Sequence, residues 1–116
     1  MVDPHDPLIR ERLQTTRQHT LDRIAALEAE FAALVEAGNG TNIDDEHDPE
    51  GATIAFERAQ VAALLDSARD RLAEVERALL ELDKNRYGIC AVCGEPIAPG
   101  RLEAKPSART CINCAT

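Results

Sequence analysis

The 116-residue chain has no tryptophan, one tyrosine, two phenylalanines and one methionine. With aromatics at only 3 % there is little bulk for a thick globular core, so apolar side chains must be buried in a thin seam. No apolar run approaches the roughly 20 residues that span a bilayer, and no membrane partner is expected. The opening stretch MVDPHDPLIRERLQ lacks the basic start and apolar segment of a secretory leader, so a cytoplasmic location with reduced cysteines is expected. Basic charge is scarce, with 13 Lys and Arg against 21 Asp and Glu and a net charge of -8. Phosphate contacts need basic side chains, so direct sequence-specific DNA binding is not expected. No Ser/His/Asp or Cys/His arrangement and no glycine-rich phosphate loop points to an enzyme.

What is present is unevenly placed. Residues 1–83 hold 8 basic and 19 acidic side chains, whereas residues 84–116 hold 5 basic and 2 acidic ones. The first stretch is rich in Ala, Leu, Glu and Arg, the makeup of long helices. Asp6-Pro7 and Asp48-Pro49 each offer an N-cap followed by proline at the first helical position, where its missing N–H costs nothing. Gly38-Asn39-Gly40 closes the first helix, because glycine accepts the left-handed geometry of a C-terminal cap. The second helical pattern runs to about Asn85, and residues 39–48 form a polar loop between the two.

Along the second helix Ile54, Val61, Leu65, Ala68, Leu72, Val75, Leu79 and Leu82 are spaced as a heptad seam, with Arg58 at its one apolar gap. Leu13, Thr20, Ile24, Leu27, Phe31 and Leu34 form the matching seam of the first, interrupted at Arg17. Folding the chain back at the glycine loop sets Leu34 against Ile54, Leu27 against Val61, Ile24 against Leu65 and Leu13 against Val75. One constant register is what an antiparallel hairpin requires, and internal pairing favours a monomer. The competing use of such a seam is parallel dimerisation. A helix of about 35 residues extends roughly 50 Å, and a hairpin of that length needs an anchor at its open end.

The cysteines supply one. Cys90-Ala91-Val92-Cys93 and Cys111-Ile112-Asn113-Cys114 are two C-x-x-C knuckles separated by 17 residues. A two-residue gap lets both sulfurs of a knuckle reach one ion, and four thiolates complete a tetrahedral zinc shell with no position left for water. One structural Zn²⁺ is therefore expected, with an iron–sulfur centre as the other use of four thiolates. Disulfides do not suit reduced surroundings, and no βαβ pattern suggests a redox pair.

The loop Asp44-Asp45-Glu46-His47-Asp48-Pro49-Glu50 packs five carboxylates into seven residues. From residue chemistry alone two readings stand. One is a solvated turn whose acids favour the next helix through its dipole. The other is a negative tip that reaches a cation-rich or Mg²⁺-bearing site on a partner.

Tyr87-Gly88-Ile89-Cys90-Ala91-Val92-Cys93-Gly94, then Pro96-Ile97, Arg101-Leu102-Glu103-Ala104-Lys105-Pro106 and Cys111-Ile112-Asn113-Cys114, together resemble the DksA/TraR family of C4-type zinc-finger regulators. The combined pattern covers roughly 28 residues and is far more specific than the cysteines alone. The resemblance implies a mainly α fold, a long antiparallel two-helix coiled-coil hairpin (residues 1–85, acidic tip at 39–52) followed by a small four-cysteine zinc finger (residues 86–116). It further implies a transcription regulator that binds RNA polymerase without contacting DNA and inserts its tip into the secondary channel. The family tip reads D-x-x-D-x-A. Counting back from Cys90 places His47, Glu50 and Ala52 on it, whereas following the acids gives Asp45, Asp48 and Glu50. Asp45, Asp48, Glu50 and Ala52 are the expected tip contacts, and Arg101, Lys105 and Arg109 are candidates for the polymerase rim or for solvent. A basic helix position used by family members that respond to ppGpp falls on Glu74, so the resemblance does not extend to a predicted ppGpp response. The alternative function is a coiled-coil adaptor whose zinc knuckle only staples the hairpin, with a partner other than polymerase.

Overall fold

The computed structural model describes residues 7–39 and 49–115. It contains α1 (Pro7–Asn39), α2 (Pro49–Asp83) and a short α3 (Pro99–Ala104). Both long helices begin at the prolines that the sequence singles out, and α1 ends directly after Gly38. The expected caps Asp6 and Asp48 lie outside the described residues. None of the helices is long and apolar enough to cross a membrane among the described residues. The chain divides into two compact units, Met1–His19 with Arg71–Thr116, and Thr20–Asp70.

In the Thr20–Asp70 unit the two seams meet as the heptads require. Ile24, Leu27, Val61, Leu65 and Ala68 are buried, with Thr20 the buried polar member. Phe31, Leu34 and Ile54 keep partial exposure, because a pair of helices covers only one stripe of each. Glu28 and Arg69 form an exposed ion pair at 3.9 Å across the seam.

The other unit holds the better-closed core. Leu13 and Val75, each 1 % exposed, share one cluster with Ile9, Ala78 and Leu82 from the helices and with Tyr87, Cys90, Ile97 and Leu102 from the cysteine segment. Arg10 meets Asp83 at 2.8 Å and Arg17 meets Glu76 at 3.8 Å. Seven residues up α1 thus correspond to seven down α2, which is antiparallel packing without slip. All four of these side chains are largely solvated, and such pairs contribute about 0–1 kcal/mol. Burial of the aliphatic cluster carries the stability.

α2 stops at Asp83, close to its expected end at about Asn85. Asn85 adopts φ 57°, its N–H donates to Leu82 O at 3.2 Å, and the Arg86 N–H donates to Glu81 O at 2.8 Å. These two bonds satisfy carbonyls that a helix end would otherwise leave open, and asparagine is the non-glycine residue best suited to the left-handed turn. The chain is thereby redirected into the cysteine segment.

α3 is a difference from the turn-rich tail that composition suggests. Pro99 occupies its first turn, Leu102 is buried, and Lys105 N–H closes onto Arg101 O. Six residues are too few for a helical period to stand out in a sequence. Packing of Leu102 into the cluster holds this helix, since isolated helices so short are unstable in water.

Candidate metal centre

The first knuckle is set up by a tight reversal. Ile97 N–H donates to Gly88 O at 2.7 Å and Cys90 N–H to Glu95 O at 2.8 Å, forming a single antiparallel bridge between Ile89 and Pro96. Two glycines make the reversal possible, Gly88 at φ 84° and Gly94 at φ 76°, values that cost a side chain roughly 1–2 kcal/mol. The second knuckle turns through Cys114 N–H and Ala115 N–H, both donating to Cys111 O. Ala91 N–H donates to Arg109 O at 2.8 Å and joins the two knuckles through the backbone.

These bonds bring Cys90, Cys93, Cys111 and Cys114 together, with all four Sγ atoms within 4.8 Å of one another. Cys93 Sγ and Cys111 Sγ are 3.8 Å apart. A zinc–sulfur bond near 2.3 Å implies a tetrahedral sulfur–sulfur edge of about 3.8 Å, so the spacing fits the ion. The donor set is thiol throughout, which suits zinc or iron–sulfur chemistry rather than a hard cation. Cys90 is 2 % exposed, and its sulfur accepts the N–H groups of Val92 at 3.4 Å and Cys93 at 3.5 Å.

The protonation pattern follows from that geometry. Backbone N–H groups of Cys93, then of Cys111, lower the Cys90 thiol to about 6. At Cys93 the Glu95 N–H favours the thiolate, but sharing with the Cys90 thiol, burial and the Cys111 thiol together raise it. Hydrogen bonding with the Cys111 thiol is the largest of several effects that push Cys114 up to about 12. In the metal-free cluster Cys90 therefore forms a thiolate readily, while Cys93 and Cys114 hold their protons until a cation displaces them.

Polar contacts brace the segment from outside. Tyr87 is buried and its hydroxyl donates to Pro106 O at 2.7 Å. Arg101 Nε donates to Thr110 O at 2.8 Å, immediately before the second knuckle. Arg12 of α1 donates to Glu103 O at 2.9 Å. These bracing roles of Arg12 and Arg101 have no sequence signature, because each acceptor is a backbone carbonyl. Lys105 lies 3.7 Å from Glu74, and Arg109 is exposed. Of the expected tip, Asp45 and Asp48 lie outside the described residues; Glu50 falls in the first turn of α2 and Ala52 is exposed on it.

A four-sulfur centre built into the base of an antiparallel helix pair defines a C4 zinc-finger protein. Residues 85–116 match the prokaryotic dksA/traR C4-type zinc finger, and this segment is a finger of that type. It is 43 % identical over 51 residues, 44 % of this chain and 35 % of the other, to the RNA polymerase-binding transcription factor DksA of Haemophilus influenzae. Its likeness to DksA of Escherichia coli K12 is 37 % over 51 residues, covering 44 % and 34 % of the two chains. With the uncharacterized protein YteA of Bacillus subtilis it shares 39 % over 66 residues, 57 % of this chain and 28 % of that one. The matches span about a third of the length of these curated relatives. The solved structure of transcription factor DksA2 from Pseudomonas aeruginosa superposes with a TM-score of 0.76 at 27 % identity, over 92 % of this chain and 77 % of that one. DksA of Haemophilus influenzae and DksA2 of Pseudomonas aeruginosa are named as transcription factors.

Proposed function

We propose that this protein is a transcription regulator that binds RNA polymerase directly and modulates initiation by inserting its acidic tip into the secondary channel. The observation that carries the reading is the joining of a dksA/traR finger to an antiparallel helix pair that resembles DksA2 over 92 % of the chain. In this reading residues 1–85 are the probe and residues 86–116 the clamp. One structural zinc ion is held by Cys90, Cys93, Cys111 and Cys114, and it supplies cross-linking rather than Lewis-acid chemistry, since four thiolates fill its shell.

The acidic tip at 39–52 offers Asp45, Asp48, Glu50 and Ala52 to the polymerase, while Arg101, Lys105 and Arg109 lie toward its acidic rim. Arg101 and Lys105 already have partners in Thr110 O and Glu74, which leaves Arg109 the most available of the three. The protein acts as a monomer in the cytoplasm and needs no sequence-specific DNA contact. A photo-crosslinker at position 48 tests this with purified RNA polymerase. A crosslink inside the secondary channel is expected, together with loss of the transcriptional effect when Asp45, Asp48 and Glu50 are changed to Ala. Crosslinks confined to the polymerase exterior, or an undiminished effect of the triple variant, would refute the role of the tip.

A further inference from the structure

A cavity of about 330 Å³ opens beside the metal centre, between the last turns of α2, the turn that follows, and residues 107–109. Its charged lining consists of Arg77, Arg86 and Arg109 against the single acid Glu81. Tyr87, Ile89, Ala78 and Ala108 supply an apolar wall. The concentration of cationic side chains contrasts with the net charge of -8 of the whole chain.

The guanidinium groups of these three arginines also have no partner among the described residues. Elsewhere Arg10, Arg17 and Arg69 pair with carboxylates and Arg12 and Arg101 donate to carbonyls, while Arg23, Arg58 and Arg71 likewise engage no partner among the described residues but line no part of this cavity. No hydrogen bond or ion pair engages the guanidinium of Arg77, Arg86 or Arg109 among the described residues. Arg77 is half-buried, and a partly desolvated cation without an acceptor is unfavourable unless something supplies one. Planar guanidinium forks match phosphate and carboxylate oxygens in pairs. A cavity of this volume lies at the small end of the range for organic ligands.

We propose that this pocket binds a small organic anion, a phosphate or carboxylate head on a compact apolar body. The head meets Arg77, Arg86 and Arg109, and the body lies against Tyr87, Ile89 and Ala108. Glu81 opposes the charge and limits affinity. The site lies entirely within one compact unit of the chain and requires no polymerase, so it stands or falls apart from the reading above.

Titration of the zinc-loaded full chain, followed through its backbone amides by NMR, tests the site with defined probes. Phenyl phosphate and benzoate carry head and body, inorganic phosphate carries the head alone, and benzyl alcohol the body alone. Saturable shifts centred on Gly88, Ile89 and Ala108 are expected with phenyl phosphate or benzoate, and the tighter of the two identifies the head. The single-part probes should bind at least about fivefold more weakly. Arg86→Gln and Arg109→Gln should each weaken binding about tenfold, the scale of one charge-assisted hydrogen bond. Arg86→Lys should retain part of the affinity, Glu81→Gln should tighten it about two- to threefold, and Arg23→Gln in the other unit should leave it unchanged. Zinc content and the amide spectrum identify any variant that fails to fold, and the conservative lysine and Glu81 variants then carry the test. Benzyl alcohol binding as tightly as phenyl phosphate, affinity indifferent to the folded arginine and Glu81 variants, or no saturable shift with either anion would overturn the proposal.

Discussion

Tyr87→Phe removes one oxygen atom from the base of the finger and offers a quantitative test of how the two knuckles are tied together. The tyrosine precedes the first knuckle, is 6 % exposed, and its hydroxyl reaches Pro106 O, on the approach to the second knuckle, at 2.7 Å. Deleting the donor costs the net hydrogen bond and leaves a carbonyl short of a partner, about 1–2 kcal/mol in all. For a chain of this size that lowers the melting temperature by at least about 4 °C. Urea denaturation of the zinc-loaded protein, read by helix circular dichroism at pH 8, should show the lower midpoint without a change of slope.

The same residue gives a pH dependence of defined sign. Burial raises the phenol above its ordinary value of 10.0, and the Arg12 guanidinium opposes this only in part. A raised value in the fold means that the protonated form is favoured there, so its contribution is complete below pH 10 and is lost as pH rises through the folded value. The stability gap between the natural protein and Tyr87→Phe should therefore narrow above pH 10, while groups common to both cancel. Equal midpoints at pH 8, or a gap that stays constant through the alkaline range, would refute the reasoning.

Leu13→Ala empties a site that is 1 % exposed in the cluster shared by both helices and the finger, and should cost about 3–4 kcal/mol in urea denaturation. Gly88→Ala meets both a φ of +84° and Leu102 Cδ1 at 3.4 Å, whereas Gly94→Ala at φ +76° meets no atom within 4 Å. The first should therefore cost more than the roughly 1–2 kcal/mol of backbone strain that both share, as thermal melts of the two variants will report. Zinc loading should release protons, because Cys93 and Cys114 lie above the ordinary thiol value of 9.0 when metal-free. Competition with a chromogenic chelator should thus show affinity rising with pH through neutrality. Cys90→Ser should lower stability as well as zinc affinity, since it replaces a sulfur that is buried and accepts two backbone N–H groups.

The helix pair was legible because its information is periodic. Leu13, Ile24, Leu27, Val61, Leu65, Val75 and Leu82 recur at helical spacing in the sequence and are buried in the structure. Ile9 and Ala78 are buried too, yet neither lies on the heptad seam as read. They belong to the cluster that includes Tyr87, Ile97 and Leu102, and only that packing takes them out of water. Residue type and a two-residue gap marked the four cysteines as a group, because those properties decide whether two sulfurs can reach one ion.

What chain order by itself determined was therefore whatever repeats or sits close together: the two long helices, their antiparallel seam and the cysteine knuckles. Tertiary structure alone decided the left-handed turn at Asn85 after α2, the existence of α3, the bracing of both knuckles by Tyr87 and Arg101, and the grouping of Arg77, Arg86 and Arg109 around one cavity. The physical reason is range. Periodicity and chelate spacing act over a few residues, whereas a carbonyl acceptor 19 residues away or a shared pocket leaves no trace in the order of side chains until the backbone has closed.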